Sequence, residues 1–510
     1  MTRRPLRLSA LFATGMARHG PTLAAVIAGA GTVWGNRLAV ADASKPATYR
    51  QVARAMEGLA WVLNRDGLVK PGRRVAVIVH DDGRFLPLVG ACLVAGGHVS
   101  LISPRLGAAP LTEFLELHGI ELAIVEGNQG QGGAAKRVRW IEAAELWKRV
   151  DGSALRLHPS RAWRSRITLL TSGTTGTPRG VRQARRLSQI WPTLALAGGT
   201  GMRPGWPVLV CPPLCHGHGL SLALLCMVTG SPMVLPGPRT RSTTEAKGEA
   251  IWQALTGWRV RVLAGTPTHL RFLAAYLDSY RPERHEREAV SVVLSGSDWL
   301  DTDTVQTLSH RWAVPVRDFY GTSQNSTLTA KLRWGTAHEA GVAGRPVAGS
   351  RLRVVDETGR VVRRGVAGSI EARSSLAGVG MTGGVGSAAN RGRASRGAGR
   401  VGSPKWTATG DRGYLDQSGQ LHLLGRADSL VRSGGTFASP ERLWQFLVAV
   451  PGVSQAWVGT VPDPVYGQRL TARLCSDGSA PVDPEELRAK VRQTLGPAMV
   501  PRRIEILPPG

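Results

Sequence analysis

Between Tyr49 and Tyr320 short apolar runs alternate with amphipathic stretches, and this alternation limits the fold more than any other feature of the chain. Tyr49, Val52, Ala53, Met56, Leu59, Ala60 and Leu63 recur at helical spacing, and Val75 to Val79 follows as a short, β-branched run suited to a buried strand. The rhythm returns with strands expected near Leu122–Val125, Ile167–Leu170, Val208–Val210, Met233–Leu235, Val260–Ala264, Val292–Leu294 and Val314–Phe319. Helical stretches lie between most of them, which predicts layered α/β sheets with largely parallel strands. After Tyr320 the pieces shorten. Arg351–Val355, Ser369–Ala372 and Gln420–Leu424 sit between Gly and Asp turns and predict an antiparallel β subdomain closing the large domain. From about Asp428 the order helix, strand, strand, helix, strand predicts a small α+β lid. The expected organisation is a basic amino-terminal extension over 1–35, a large domain over 36–427 and the lid over 428–510.

A chain of 510 residues exceeds one ordinary core, and 42% apolar residues give it ample material to bury. The nearest candidate for a membrane span, Leu23 to Trp34, is shorter than the roughly 20 residues a bilayer requires and is interrupted by Gly29, Gly31 and Thr32. Arg3, Arg4 and Arg7 precede a mildly apolar stretch with neither a clean apolar core nor a cleavage site, so a soluble, cytoplasmic protein is expected. Five cysteines without a CxxC pair suit a reducing compartment, and Cys211 and Cys215 beside His216 and His218 match no common zinc spacing. They read as core or loop cysteines.

The net charge of +28 would draw polyanions, anionic membrane surfaces among them. The arginines are spread along the chain and aromatic residues are only 5%, so no specific nucleic-acid binding is expected. Asn390 to Arg400 reads NRGRASRGAGR, a composition that cannot build a core and is expected to form a solvated loop.

Ile167 to Leu170 delivers the chain into Thr171-Ser-Gly-Thr-Thr-Gly-Thr-Pro-Arg-Gly180. Glycines let backbone N–H groups approach phosphate oxygens, hydroxyls add donors, and Arg179 adds a fixed positive charge. Such a loop suits a polyphosphate, a plain turn being the alternative. It is not a Walker loop, because no Gly-Lys-Ser/Thr follows the first glycine at the required spacing.

The run resembles the phosphate-loop signature of the adenylate-forming superfamily, which includes acyl-CoA synthetases, adenylation domains and luciferases. Arg179 stands where lysine is usual, which keeps the charge and changes its geometry. Further segments match in the same order. Pro213-Leu-Cys-His216 with Gly219-Leu220 resembles a motif whose histidine lies near the acyl pocket, and Ser295-Gly296-Ser297 a small-residue turn beside the substrate. Asp318-Phe-Tyr-Gly-Thr-Ser-Gln324 resembles Y-G-x-T-E, and Gly341 to Pro346 resembles G-x-x-G-x-P. Thr409-Gly-Asp411 matches a T-G-D triplet. Gly425-Arg-Ala-Asp428 with Ser433-Gly-Gly435 and Pro440 is similar to a hinge segment, and Val461 to Gly467 to V-P-D-x-x-x-G in the lid.

The resemblance implies a two-step reaction. ATP, with Mg²⁺, would activate a carboxylic acid, fatty or otherwise hydrophobic, to an acyl-adenylate, and CoA would then take the acyl group as a thioester. A phosphopantetheine on a carrier protein is the alternative acceptor, and a non-catalytic nucleotide or acyl-adenylate binder is the alternative function. By resemblance Thr171, Ser172, Gly173, Thr174, Thr175, Gly176 and Arg179 would hold the phosphates, and Thr174 and Gln324 the metal. Tyr320 would stack on adenine beside Gly321, with Ser295, Gly296 and Ser297 lining the same site, and Ser323 would donate to the α-phosphate. Asp411 would accept from the ribose hydroxyls, Arg426 would reach the nucleotide, Asp428 would be the hinge, and His216 would lie at the acyl end.

Two departures stand out. The family's metal-contacting glutamate is Gln324 here, which keeps an oxygen ligand and loses its charge. The family's Gly-Lys after the last strand is not found, since no lysine follows Lys490. This leaves the lysine's role vacant unless Arg502 or Arg503 substitutes, and makes weakened turnover an expectation.

Overall fold

The structure is a computed structural model. It describes residues 13–42, 46–127, 137–150, 160–171, 179–182, 200–237, 243–280, 290–298, 300, 302–312, 314–322, 325–331, 342–374, 380–382, 406–427, 429–433, 436–463, 467–478 and 480–507. The chain divides into two compact units. The first is Met1–Ala340, Pro346–Arg351 and Arg373–Lys405, and the second is Gly341–Arg345, Leu352–Ala372 and Trp406–Gly510. The β subdomain after Tyr320 therefore groups with the carboxyl-terminal segment.

The strands of the first unit are β1 (Leu38–Ala41), β2 (Ala47–Thr48), β3 (Arg74–Ile78), β4 (His98–Leu101), β5 (Leu122–Val125), β6 (Arg139–Glu142), β7 (Arg166–Thr171), β8 (Arg179–Arg182), β9 (Val208–Val210), β10 (Met233–Val234), β11 (Val262–Gly265), β12 (Val292–Gly296), β13 (Val316–Thr322), β14 (Ser326–Lys331) and β18 (Gly380–Thr382). One sheet runs β14-β13-β12-β11-β9-β10-β1-β2, and the other β18-β8-β7-β4-β3-β5-β6. Pairing is parallel from β13 to β1 and from β7 to β6, and antiparallel only toward β14, β2, β8 and β18. The expected layered α/β class with largely parallel sheets is what the structure shows.

Its cause is visible in single strands. β9, β11 and β12 are buried at every residue, as parallel strands covered by helices on both faces must be. The helices of this unit include α1 (Leu23–Val33), α2 (Tyr49–Arg65), α3 (Phe85–Val94), α4 (Ala108–Leu117), α5 (Ala143–Lys148), α6 (Gly217–Thr229), α7 (Thr244–Gly257), α8 (Pro267–Ser279) and α9 (Thr302–Trp312). α2 starts at a capping box in which Thr48 and Gln51 satisfy each other's backbone N–H. All ten residues of α3 are buried, so this helix runs through the core. The stretch expected as an amino-terminal extension contains α1, whose Leu23, Ala24 and Ile27 belong to the main core. The Tyr49 hydroxyl shares its proton between Cys226 O at 2.9 Å and Ser231 O at 2.8 Å, which ties α2 to the far end of α6.

The second unit holds one sheet in the order β16 (Ser350–Val355), β17 (Gly368–Ser374), β19 (Thr407–Leu415), β20 (Leu421–Arg426), β15 (Val342–Pro346). A further sheet is built from β21 (Val431–Ser433), β22 (Thr436–Ala438), β23 (Val453–Asp463), β24 (Gly467–Ser476) and β25 (Arg503–Leu507). Helices α10 (Pro440–Val448) and α11 (Pro484–Leu495) lie between its strands in sequence, so the expected order helix, strand, strand, helix, strand runs from α10 to β25, and the short strands β21 and β22 precede it. Leu443, Leu447, Leu470, Leu474 and Val491 form its core. Among the described residues no helix is long and apolar enough to cross a membrane. Cys92, Cys211, Cys215 and Cys226 are buried and form no disulfide among the described residues, and burial pushes the Cys92 and Cys226 thiols up to about 12.

Candidate active site

Four neighbouring parallel strands, β9, β11, β12 and β13, run in register: Val210 lies beside Ala264, Gly265 beside Ser295, and Ser295 beside Asp318. Their carboxyl ends therefore share one edge, the place where open α/β sheets bind ligands. From β9 the chain passes through Pro213 to His216 into α6, and from β11 it passes through Thr266 into α8. β12 ends at Gly296 and leads to Ser297, and β13 carries Tyr320 and Gly321. The fold thus gathers segments that the sequence places about 100 residues apart.

The second sheet joins this edge through β7. Leu169 Cδ1 lies 3.4 Å from where a Cβ on Gly217 would sit, so the strand leading into the expected phosphate loop touches the start of α6. Thr171 on β7 pairs with Arg179 on β8, and these antiparallel strands bracket the loop. Ser172, Gly173, Thr174, Thr175 and Gly176 lie outside the described residues, as does the Gly/Arg-rich stretch from Asn390.

His216 is the N-cap residue of α6, with extended backbone and an exposed side chain. His218, in the first turn of the same helix, lies against the small-residue turn. Its Nδ1 lies 2.9 Å from Ser297 Oγ. Ser297 has a φ of +76°, a left-handed conformation that non-glycine residues seldom adopt. A Cβ on Gly296 would crowd Phe319 O at 3.0 Å and would meet His218 Cε1 at an ordinary contact distance of 3.4 Å, so the ring packs directly against this turn. Part of His218 reaches solvent, yet protein atoms crowd the imidazole, and this desolvation pushes its pKa down to about 4. The ring is therefore neutral near pH 7. Ser295 is fully buried, and no partner lies within hydrogen-bond reach of its Oγ among the described residues. Within α8, His269 Nδ1 lies 2.7 Å from Thr266 Oγ1, so this histidine serves the helix cap.

On β13, the register against β14 shifts between Tyr320 and Gly321, an irregularity that interrupts the regular ladder at this point. Tyr320 and Gly321 are half-buried. Asn325 N and Nδ2 both donate to Thr322 Oγ1, at 3.1 and 3.3 Å, which pins the base of the connection to β14. Ser323 and Gln324, between those two residues, lie outside the described residues.

In the second unit β19 and β20 bring Asp411 and Arg426 together as a cross-strand pair. Arg426 Nη1 donates to Asp411 Oδ1 and to Thr409 O, both at 3.3 Å, while Asp411 N donates to Thr409 Oγ1 at 3.1 Å. The guanidinium lies over Gly410, whose φ is +84°; a Cβ there would come within 2.8 Å of Arg426 Nη2. Glycine is thus required both for the turn of the backbone and for the approach of the arginine. Asp428 lies outside the described residues. Arg502, one of the two arginines that could stand in for the lysine, donates to Asp463 Oδ2 and Pro462 O at 3.2 Å and is thereby held on the Val461-Pro-Asp463 segment.

The AMP-binding enzyme family is matched over residues 28–382, and the AMP-binding enzyme C-terminal domain over 445–509. The chain belongs to the AMP-binding enzyme family. This AMP-binding enzyme is 28% identical over 474 residues to a 2-succinylbenzoate–CoA ligase of Geobacillus kaustophilus, covering 92% of this chain and 90% of that one. It is 27% identical over 491 residues to an oxalate–CoA ligase of Arabidopsis thaliana, covering 90% and 89%. Among solved structures it resembles an O-succinylbenzoate coenzyme A synthetase from Bacillus subtilis in complex with AMP. The TM-score is 0.78 at 22% identity, with 94% of each chain covered, which speaks to the fold.

Sequence reasoning selected His216 and passed over His218, although both stand in Cys215-His-Gly-His-Gly219. The available signal was the second histidine of H-x-H before a helix. Nothing local said which of the two would meet the turn after β12.

Proposed function

We propose that this AMP-binding enzyme is an acid–CoA ligase. A carboxylate oxygen of the acid attacks the α-phosphorus of ATP, the bond to the β-phosphate oxygen breaks, and pyrophosphate leaves. The CoA sulfur then attacks the acyl carbon, its proton is lost, and AMP leaves with the bonding electrons. One observation carries the reading. Relatives named for acids as unlike as 2-succinylbenzoate, oxalate and ferulate match about nine-tenths of the chain, and all are named as CoA ligases or synthases. What they share is ATP and CoA chemistry, and what differs is the acid.

The sequence motifs support a division of labour. The loop from Thr171 to Arg179 would hold the phosphates, and Tyr320 with Gly321 would meet adenine. Asp411, oriented by Thr409 and Arg426, would accept from the ribose hydroxyls, while Arg426 neutralises phosphate charge. Mg²⁺, when bound, would offset charge on the phosphates. Thr174 and Gln324 offer it oxygen atoms, the donor type a hard cation takes. Asp428 would be the pivot of a lid running from 428 to 510. A fatty acid is one member of the substrate panel and has no privileged place in it.

The test is purified protein with ATP, Mg²⁺ and CoA against a panel of aryl, dicarboxylic and fatty acids, reading pyrophosphate and thioester. Pyrophosphate release dependent on one acid class, with thioester appearing on CoA addition, is expected. ATP binding by calorimetry without pyrophosphate release from any acid would favour a non-catalytic binder. Thioester on a carrier protein and none on CoA would change the acceptor.

A further inference from the structure

The contact between α6 and the turn after β12 is built at some cost. A serine holds a φ of +76°, the preceding glycine lies where a Cβ would crowd Phe319 O at 3.0 Å, and a hydrogen bond of 2.9 Å joins Ser297 Oγ to His218 Nδ1. A tie serving only to hold a helix against a sheet needs none of these features, as the apolar residues Leu220 and Leu222 of α6 already join the main core. What they achieve is a fixed ring orientation. With Nδ1 engaged by Ser297, Nε2 has no hydrogen-bond partner among the described residues, and it is not sealed in the interior. The ring meets the turn that follows β12, at the carboxyl-end edge shared by β9, β11 and β12, the edge at which open α/β sheets bind ligands.

We infer that His218, oriented by Ser297, is a specificity-determining residue whose Nε2 hydrogen-bonds an oxygen substituent on the acid, away from the reacting carboxylate. This rests on the ligase reading and narrows it to oxygen-bearing acids over plain hydrocarbon chains. The Ser297 hydroxyl can donate to Nδ1 or accept from it, so Nε2 is a donor in one arrangement and an acceptor in the other. A carbonyl or ether oxygen meets the first, and a hydroxyl meets either. A plain chain offers nothing to Nε2 and leaves it without a partner once water is displaced, which is how such a site rejects the analogue.

The experiment compares kcat/KM within matched pairs: 4-oxopentanoate against pentanoate and 4-hydroxycinnamate against cinnamate, with octanoate as the plain chain. The wild type is expected to favour the oxygenated member of at least one pair by about tenfold or more. His218→Leu should collapse that ratio to near unity. Ser297→Gly, which suits the left-handed backbone and removes only the hydroxyl, should reduce the ratio while the fold is retained by thermal melting. A wild type without preference in either pair overturns the inference, as does a ratio that stays unchanged in Ser297→Gly or in folded His218→Leu. If the wild type releases pyrophosphate with no acid at all, the ligase reading fails and takes this inference with it. Release with an unmoved ratio sinks the inference alone.

Discussion

Replacing Gly410 with alanine tests whether the Asp411–Arg426 pair serves the nucleotide or merely closes a β hairpin. Two effects follow from the geometry. The φ of +84° is left-handed, and a non-glycine residue there costs about 1–2 kcal/mol of stability. The new Cβ would also lie 2.8 Å from Arg426 Nη2, 2.9 Å from Nη1 and 3.1 Å from Cζ. Those atoms end a flexible side chain that is 42% exposed, so the guanidinium swings aside at little expense. Losing its partly exposed pair with Asp411 costs at most about 1 kcal/mol. The sum is about 1–3 kcal/mol, a moderate loss. Function should suffer more, because the group displaced is the one proposed to meet the phosphates. kcat/KM for ATP in acid-dependent pyrophosphate release should fall about tenfold to a hundredfold. Urea denaturation and ATP titration of Gly410→Ala, Arg426→Ala and the double variant form the assay. In the Arg426→Ala background the alanine should retain its strain and lose its effect on ATP. Equal ATP defects from Gly410→Ala with and without Arg426 would refute displacement of the guanidinium as the mechanism.

Two further outcomes are expected. Gln324→Glu should raise the adenylation rate several-fold at limiting Mg²⁺, because a carboxylate restores charge to a hard-cation site; an unchanged dependence on Mg²⁺ in stopped-flow pyrophosphate release would exclude Gln324 as a metal ligand. His218 has its folded-state pKa pushed from 6.5 down to about 4 by burial, so the unfolded chain binds a proton more readily. Its contribution to stability is complete above 6.5 and is lost as pH falls toward 4, by up to about 3 kcal/mol. Chemical denaturation across that window should show a shallower loss for His218→Asn than for wild type, and parallel curves would contradict the assignment.

Much of the α/β core is legible from single segments. Val75–Val79, Leu122–Val125 and Val208–Val210 are apolar, β-branched runs, and they become β3, β5 and β9. β4 is not legible in this way. His98-Val-Ser-Leu101 is short and half polar, yet it lies between β3 and β7 because both neighbours present unpaired backbone edges to it. The grouping of the β subdomain with the carboxyl-terminal segment was likewise not legible, since it depends on which surfaces meet and not on any local pattern.

By itself the sequence determined the class of fold and the order of its motifs. Local periodicity and glycine-rich turns are properties of neighbours along the chain, and they survive in the sequence whatever the chain does later. Tertiary structure alone decided that Arg426 lies over Gly410 beside Asp411, and that His218 is the histidine meeting Ser297. Each of those contacts joins residues from different strands or helices through strand register and a left-handed backbone position, quantities set by packing across the fold and absent from any single stretch of sequence.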